Sequence, residues 1–201
     1  MGLMVSKPEG GDFELAPSGT HIARCYMVID EGIQKTNFGD KHMIRIGWEL
    51  SNELMADGRP FVVGKEYNAN LHADSNLTKD LTSWRGRAFT DEELAGFDLF
   101  KVAGAPCMIT IIHNPKGDRT FANVSSVTSL PKGTPVPILA NEKIIFSLAE
   151  PEQAAFQKIP EWIRKKISSG SASTQQQSQP QQQTPPAGPD AFDSFDDDIP
   201  F

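Results

Sequence analysis

The 201-residue chain is poor in the features that mark several large functional classes. It has two cysteines, Cys25 and Cys107, neither in a CxxC, and four scattered histidines, His21, His42, His72 and His113. That excludes a disulfide framework and a zinc site of ordinary ligand spacing. Each cysteine lies in an apolar, strand-like run, where a reduced core thiol is expected. No stretch of about eighteen apolar residues occurs, so no membrane-spanning helix is expected. The first twelve residues also lack the apolar centre of a secretory signal, and a reducing cytoplasm is the expected compartment. Catalytic signatures are missing as well: there is no P-loop, HExxH, GxSxG or dinucleotide-binding glycine fingerprint. The acid pairs Glu92/Glu93 and Glu150/Glu152 lie near expected helix starts, where capping accounts for them, and no spaced carboxylate set points to a two-metal site. No enzyme, metal or cofactor is expected.

Positive charge is missing from one part of the chain altogether. All 19 lysines and arginines precede residue 168, whereas Asp190, Asp193, Asp196, Asp197 and Asp198 follow it. Five of the 26 acids therefore belong to the C-terminal tip, and the rest of the chain carries −2 of the total −7. A low isoelectric point argues against a polyanionic partner only when the acids share the binding surface, and here they are set apart.

Three zones follow. Residues 1–167 carry the alternating and periodic apolar patterns of a folded unit. Residues 168–189, SSGSASTQQQSQPQQQTPPAGP, have no charge and no aliphatic or aromatic side chain beyond alanine and proline. Such a segment cannot bury enough surface to offset its ordering entropy and reads as a disordered linker. Residues 190–201, DAFDSFDDDIPF, interleave aspartates with Phe192, Phe195, Ile199 and Phe201. Aspartates can steer such a segment to a basic rim, Pro200 limits the entropy lost on docking, and Phe201 supplies an apolar anchor.

Within the first zone, residues 20–30 alternate, with Ala23, Cys25, Met27 and Ile29 on one face and Arg24 and Tyr26 on the other. Residues 32–41 read as a polar loop. Residues 42–50 form a second strand with Ile44, Ile46, Trp48 and Leu50 inward, and residues 61–67 a third. Leu77, Leu81 and Trp84 then recur at helical spacing, and Thr90 with Glu93 forms a capping box that opens a second short helix. Residues 106–113 are the most β-like run and turn at 114–118 into a strand over 119–129. Residues 142–148 are a further strand candidate, and a broken helix follows from Pro151. Three strands, a helical segment and a hairpin is the element order of an OB-fold, so the expected class is mainly β: a five-stranded Greek-key barrel with inserted helices.

The tip Asp196-Asp197-Asp198-Ile199-Pro200-Phe201, behind a Gln/Pro-rich linker, resembles the C-terminal tip of bacterial single-stranded-DNA-binding proteins. The body lacks the N-terminal strand signature of those proteins. It is similar instead to the single-stranded-DNA-binding proteins of tailed bacteriophages, through GTHIARCYMVIDEG, FGDKHMIRIGWEL, LTSWRGRAFTDEELAGFDL and FQKIPEWIRKKI, which together cover most of residues 18–167. The resemblance implies a body that coats single-stranded DNA during replication, recombination and repair. It also implies a tip (Asp196, Asp197, Asp198, Ile199, Pro200 and Phe201) that docks on replication and recombination proteins of a bacterial host. A homo-oligomer is compatible with it, since OB-folds work as monomers, dimers or tetramers. The alternative is a replisome adaptor whose body binds protein.

Sequence-tolerant binding of single strands needs cations along the phosphates and flat rings for the bases. An OB-fold offers these on strands two and three and in the loops joining strands one–two and four–five. That mapping nominates Lys35, Phe38 and Lys41 in the first loop, and Arg24, Tyr26 and Arg45 on outward strand faces. Lys65 and Tyr67 follow on strand three, then Trp84, Arg85, Arg87 and Phe89, and finally Lys116 and Arg119 at the second hairpin. Trp48, in phase with Ile44, Ile46 and Leu50, is expected in the core.

Overall fold

A computed structural model describes residues 14–177, with side chains through residue 170. Residues 178–189 of the expected linker and the whole 190–201 tip lie outside the described residues.

The described chain is mainly β. Strands β1 (Gly19–Thr36), β2 (Gly39–Leu54) and β3 (Pro60–Asn68) form an antiparallel meander. Helices α1 (Asn76–Arg85) and α2 (Asp91–Ala95) and a 3-10 turn at Leu99–Val102 follow. Strands β4 (Pro106–Lys116) and β5 (Arg119–Thr128) make a second hairpin. A short strand β6 (Ile144–Phe146) and helices α3 (Gln153–Lys158) and α4 (Glu161–Gln177) complete the described chain. The sheet order is β3-β2-β1-β4-β5, with β6 added parallel to β1. The two outer strands β3 and β5 approach each other, and α1 lies against both.

The sheet has a core on each side. The inner one holds Ala23, Cys25, Val28, Ile44, Ile46, Trp48, Leu50, Ile109 and Ile111, plugged by Leu77, Leu81 and Trp84 of α1. Trp48 is fully buried there, as its phase requires. Desolvation pushes the Cys25 thiol up to about 12, which fits an inert core thiol. The outer core joins Tyr26, Met27 and Ile29 of β1 to Phe146, Ile159, Ile163 and Ile167.

Strict alternation along β1 fails because register shifts fall between Cys25 and Met27 and between Asp30 and Gly32. A bulge adds a residue to one strand and resets which face the next side chain meets. Met27 and Ile29 therefore leave the face of Ala23 and Cys25, and Tyr26 joins them in the outer core. Gly32 takes the second bulge at φ +73°, its N–H donating to Asp30 Oδ1 (2.9 Å).

The expected polar loop over 32–41 is instead the end of a ribbon. β1 and β2 stay paired until Thr36 meets Gly39, and only Asn37 and Phe38 make the turn. The second hairpin likewise tightens to a Gly117-Asp118 turn, with Gly117 at φ +61°. Beyond Ile111, β4 has outrun β1 and pairs with β5 alone, so Pro115 is tolerated on a flank with a single neighbour.

Helix α4 continues ten residues into the stretch expected to be linker. Ile159, Ile163, Ile167 and Gly170 recur at helical spacing and are all buried, so the apolar stripe extends past residue 168. A side chain at position 170 would collide with the Ile33 carbonyl, which makes glycine the residue that lets the helix lie close on β1.

Candidate nucleic-acid interface

The β1–β2 turn presents Phe38 with 86% of its surface exposed. The turn is held rigid: the Thr36 hydroxyl donates to the Gly39 carbonyl (2.7 Å) and accepts from the Phe38 N–H (3.1 Å). Lys41 places Nζ 5.4 Å from the Phe38 ring centre, and exposed Lys35 stands on the opposite strand. Lys35 pairs with Asp40 and Lys41 with Gln34, so the two lysines take opposite faces of the ribbon. A large ring held in solvent beside Lys41 can stack on a planar group while the lysine faces its anionic backbone.

The β4–β5 tip repeats that chemistry. Lys116 pairs across the turn with Arg119, and Asn114 with Phe121. Side chains two apart share a face, so Lys116, Arg119 and Phe121 stand together, all exposed. Phe121 was missed from the sequence, although the spacing Arg119-Thr120-Phe121 carries the signal. β4 pairs with the first six residues of β1, and the β1–β2 ribbon extends past its other end. The two tips therefore lie at opposite ends of β1. Lys35, Lys41, Lys116 and Arg119 make no ion pair among the described residues.

The other nominated residues are engaged structurally. Tyr26 is buried in the outer core, and burial pushes its phenol up to about 12. Tyr67 and Lys65 face inward rather than outward, since their register partners Ile44 and Ile46 belong to the inner core. The Tyr67 hydroxyl (2.8 Å) and Lys65 Nζ (2.6 Å) both donate to Asp80 Oδ2 of α1. Val62, Gly64, Glu66 and Asn68 take the outward positions of β3 instead. Trp84 is buried against Trp48 (5.9 Å between centres), its Nε1–H donating to the Pro106 carbonyl (2.8 Å).

Arg85 and Arg87 both pair with Glu93, and Phe89 stands edge-on to Phe97 (5.2 Å) beneath the Arg85 guanidinium (4.3 Å). The Arg87 hydrogen bonds, the Thr90 N–H and Arg85 together hold the Glu93 carboxyl down at about 2. This cluster shares no contact with the β1–β2 tip.

Arg24 and Arg45 do project outward, to different ends. Arg24 donates to the Gly104 (2.6 Å) and Pro137 (2.9 Å) carbonyls. Its cross-strand partner Glu49 accepts from the Ala140 (2.8 Å) and Asn141 (2.7 Å) N–H groups, so the pair clamps residues 137–141 onto the sheet. Arg45 joins a charge cluster with Glu31, Glu66 and Lys166. Glu31 has no exposed surface; its carboxylate meets Arg45 Nε at 2.5 Å and Lys166 Nζ at 2.9 Å. Glu66 contacts Lys166 and, at 3.3 Å, Arg45. The cluster fastens α4 over the outward side of β1. Sequence reading missed that role, because Lys166 meets Glu31 across 135 residues of chain.

No family model matches the chain, and no curated protein matches it.

Proposed function

We propose that the body is an OB-fold that binds single-stranded DNA, and that the chain coats such strands in replication and recombination while its acidic tip recruits partner proteins. The order β3-β2-β1-β4-β5, with a helical segment between β3 and β4 and the outer strands approaching each other, supports the OB reading. The observation that carries the binding reading is Phe38. A phenylalanine held open to solvent at a rigid turn, backed by Lys41 and accompanied by Lys35, has no core to serve. Stacking one base on such a ring contributes about 1–3 kcal/mol and tolerates any sequence.

The test is a titration of the full chain with oligodeoxythymidine and with duplex at two salt concentrations. Preference for the single strand that weakens with salt is expected. Absence of single-strand binding at low salt overturns the reading.

A second reading rests on a separate observation. The clamped 137–141 segment and the residues before it hold Ile138 (88% exposed) and Val136 out in solvent, apolar side chains that a protein partner could cover. In that reading the body is an adaptor that binds protein, and the titration finds no DNA binding.

A further inference from the structure

We infer that Trp162 of α4 is a second base-stacking platform, continuing a track along β2 from the Phe38 tip. The inference rests on the single-strand reading above and adds to it a residue on an element outside the strand meander.

Trp162 lies off the buried stripe of its helix. Ile159, Ile163 and Ile167 point into the outer core, whereas Trp162 keeps 58% of its surface exposed. Its covered face lies outside that core, against a charged side chain of the sheet. The Arg45 guanidinium lies 4.6 Å from the indole centre. Arg45 is in turn fixed by Glu31 and Glu66, and it lies close to Gly64, which has no side chain to lift it from the sheet. The order outward is therefore sheet backbone, guanidinium, indole, solvent. Such a layered arrangement is immobilised before any ligand arrives, which lowers the entropy lost on stacking.

Position and charge select the occupant. Lys41, Met43 and Arg45 alternate along β2 and share its outward face. Lys41 and Arg45 are four residues apart, about 13 Å along the strand, or about four rises of a stacked base at ~3.4 Å each. Two ring-and-cation pairs, Phe38 with Lys41 and Trp162 with Arg45, thus stand in line at a spacing a short single strand can bridge. Lys41 has no ion-pair partner among the described residues, and Arg164 hydrogen-bonds the uncharged Gln157 side chain (3.1 Å). A polyanion bearing flat rings fits this surface.

Trp48 and Trp84 are buried, so collisional quenching by acrylamide reports on Trp162. The full chain is titrated with oligodeoxythymidine at low salt, and acrylamide quenching is measured free and bound. Bound oligomer is expected to shield Trp162. Trp162→Ala is expected to weaken binding about 5- to 150-fold, the equivalent of one stacked base, while Trp162→Phe loses less. An oligomer that binds while quenching stays unchanged overturns this inference and leaves the single-strand reading standing. An oligomer that does not bind overturns both.

Discussion

Phe38 and Trp48 both belong to the first hairpin, one wholly exposed in character and the other wholly buried, and phase separates them. Trp48 follows Ile44 and Ile46 at intervals of two and falls inside; Phe38 occupies a two-residue turn where no inside exists. Replacing Phe38 with alanine should therefore leave the melting temperature unchanged and weaken oligodeoxythymidine binding about 5- to 150-fold, which a paired melt and titration measure. Arg45 behaves in the opposite way. Arg45→Met leaves the fully buried Glu31 carboxylate with Lys166 as its remaining cation and should destabilise the fold in a denaturant melt, by less than the about 3–5 kcal/mol of a buried charge left wholly unpaired. The exposure of Phe38 was legible because the turn is local, whereas the Arg45 cluster draws on four separate elements. Which way Tyr67 and Lys65 face was not legible, for a simple reason. Either face of a short strand with mixed residues can be the inner one, and only the register against Ile44 and Ile46 decides.

The long helix α4 shows how an element's end is set by what it lies against. Its composition past residue 168 reads as linker, yet Ile167 and Gly170 keep contact with β1, and the helix continues to Gln177. Ile163→Ala, which removes the centre of that stripe, should cost about 2–5 kcal/mol in a denaturant melt. At α2, the capping box was fully legible, because Thr90 and Glu93 are three residues apart and need nothing distant. Its pH dependence has a definite sign. The Glu93 pKa is lowered from 4.5 to about 2 in the fold, so its contribution is present above about 4.5 and is lost as pH falls toward about 2. In melts across that range, Glu93→Gln should be less stable than the native chain above the upper value and converge with it at the lower. A constant gap throughout would show that the carboxylate charge is not what matters.

For the molecule as a whole, sequence reading recovered the β-rich class, the strand sequence and the inserted helices, because hydrophobic period and turn residues are local signals. It did not recover the second core outside the sheet, since the bulges that turn Tyr26, Met27 and Ile29 toward α4 leave no mark in the alternation until β2 and β6 are paired to them. The same separation of signals explains the charge. The chain's −7 is concentrated in its C-terminal residues, and several of the body's cations, Arg45, Lys65, Arg85 and Arg87 among them, are held by acids, whereas those at the two hairpin tips are not. The central claim, that this near-neutral body grips single strands through its tips, is tested most directly by the salt dependence of oligodeoxythymidine binding. With Lys35, Lys41, Lys116 and Arg119 each meeting a phosphate, log K should fall against log salt with a slope of about −3. A slope near zero, or no binding at low salt, would contradict it.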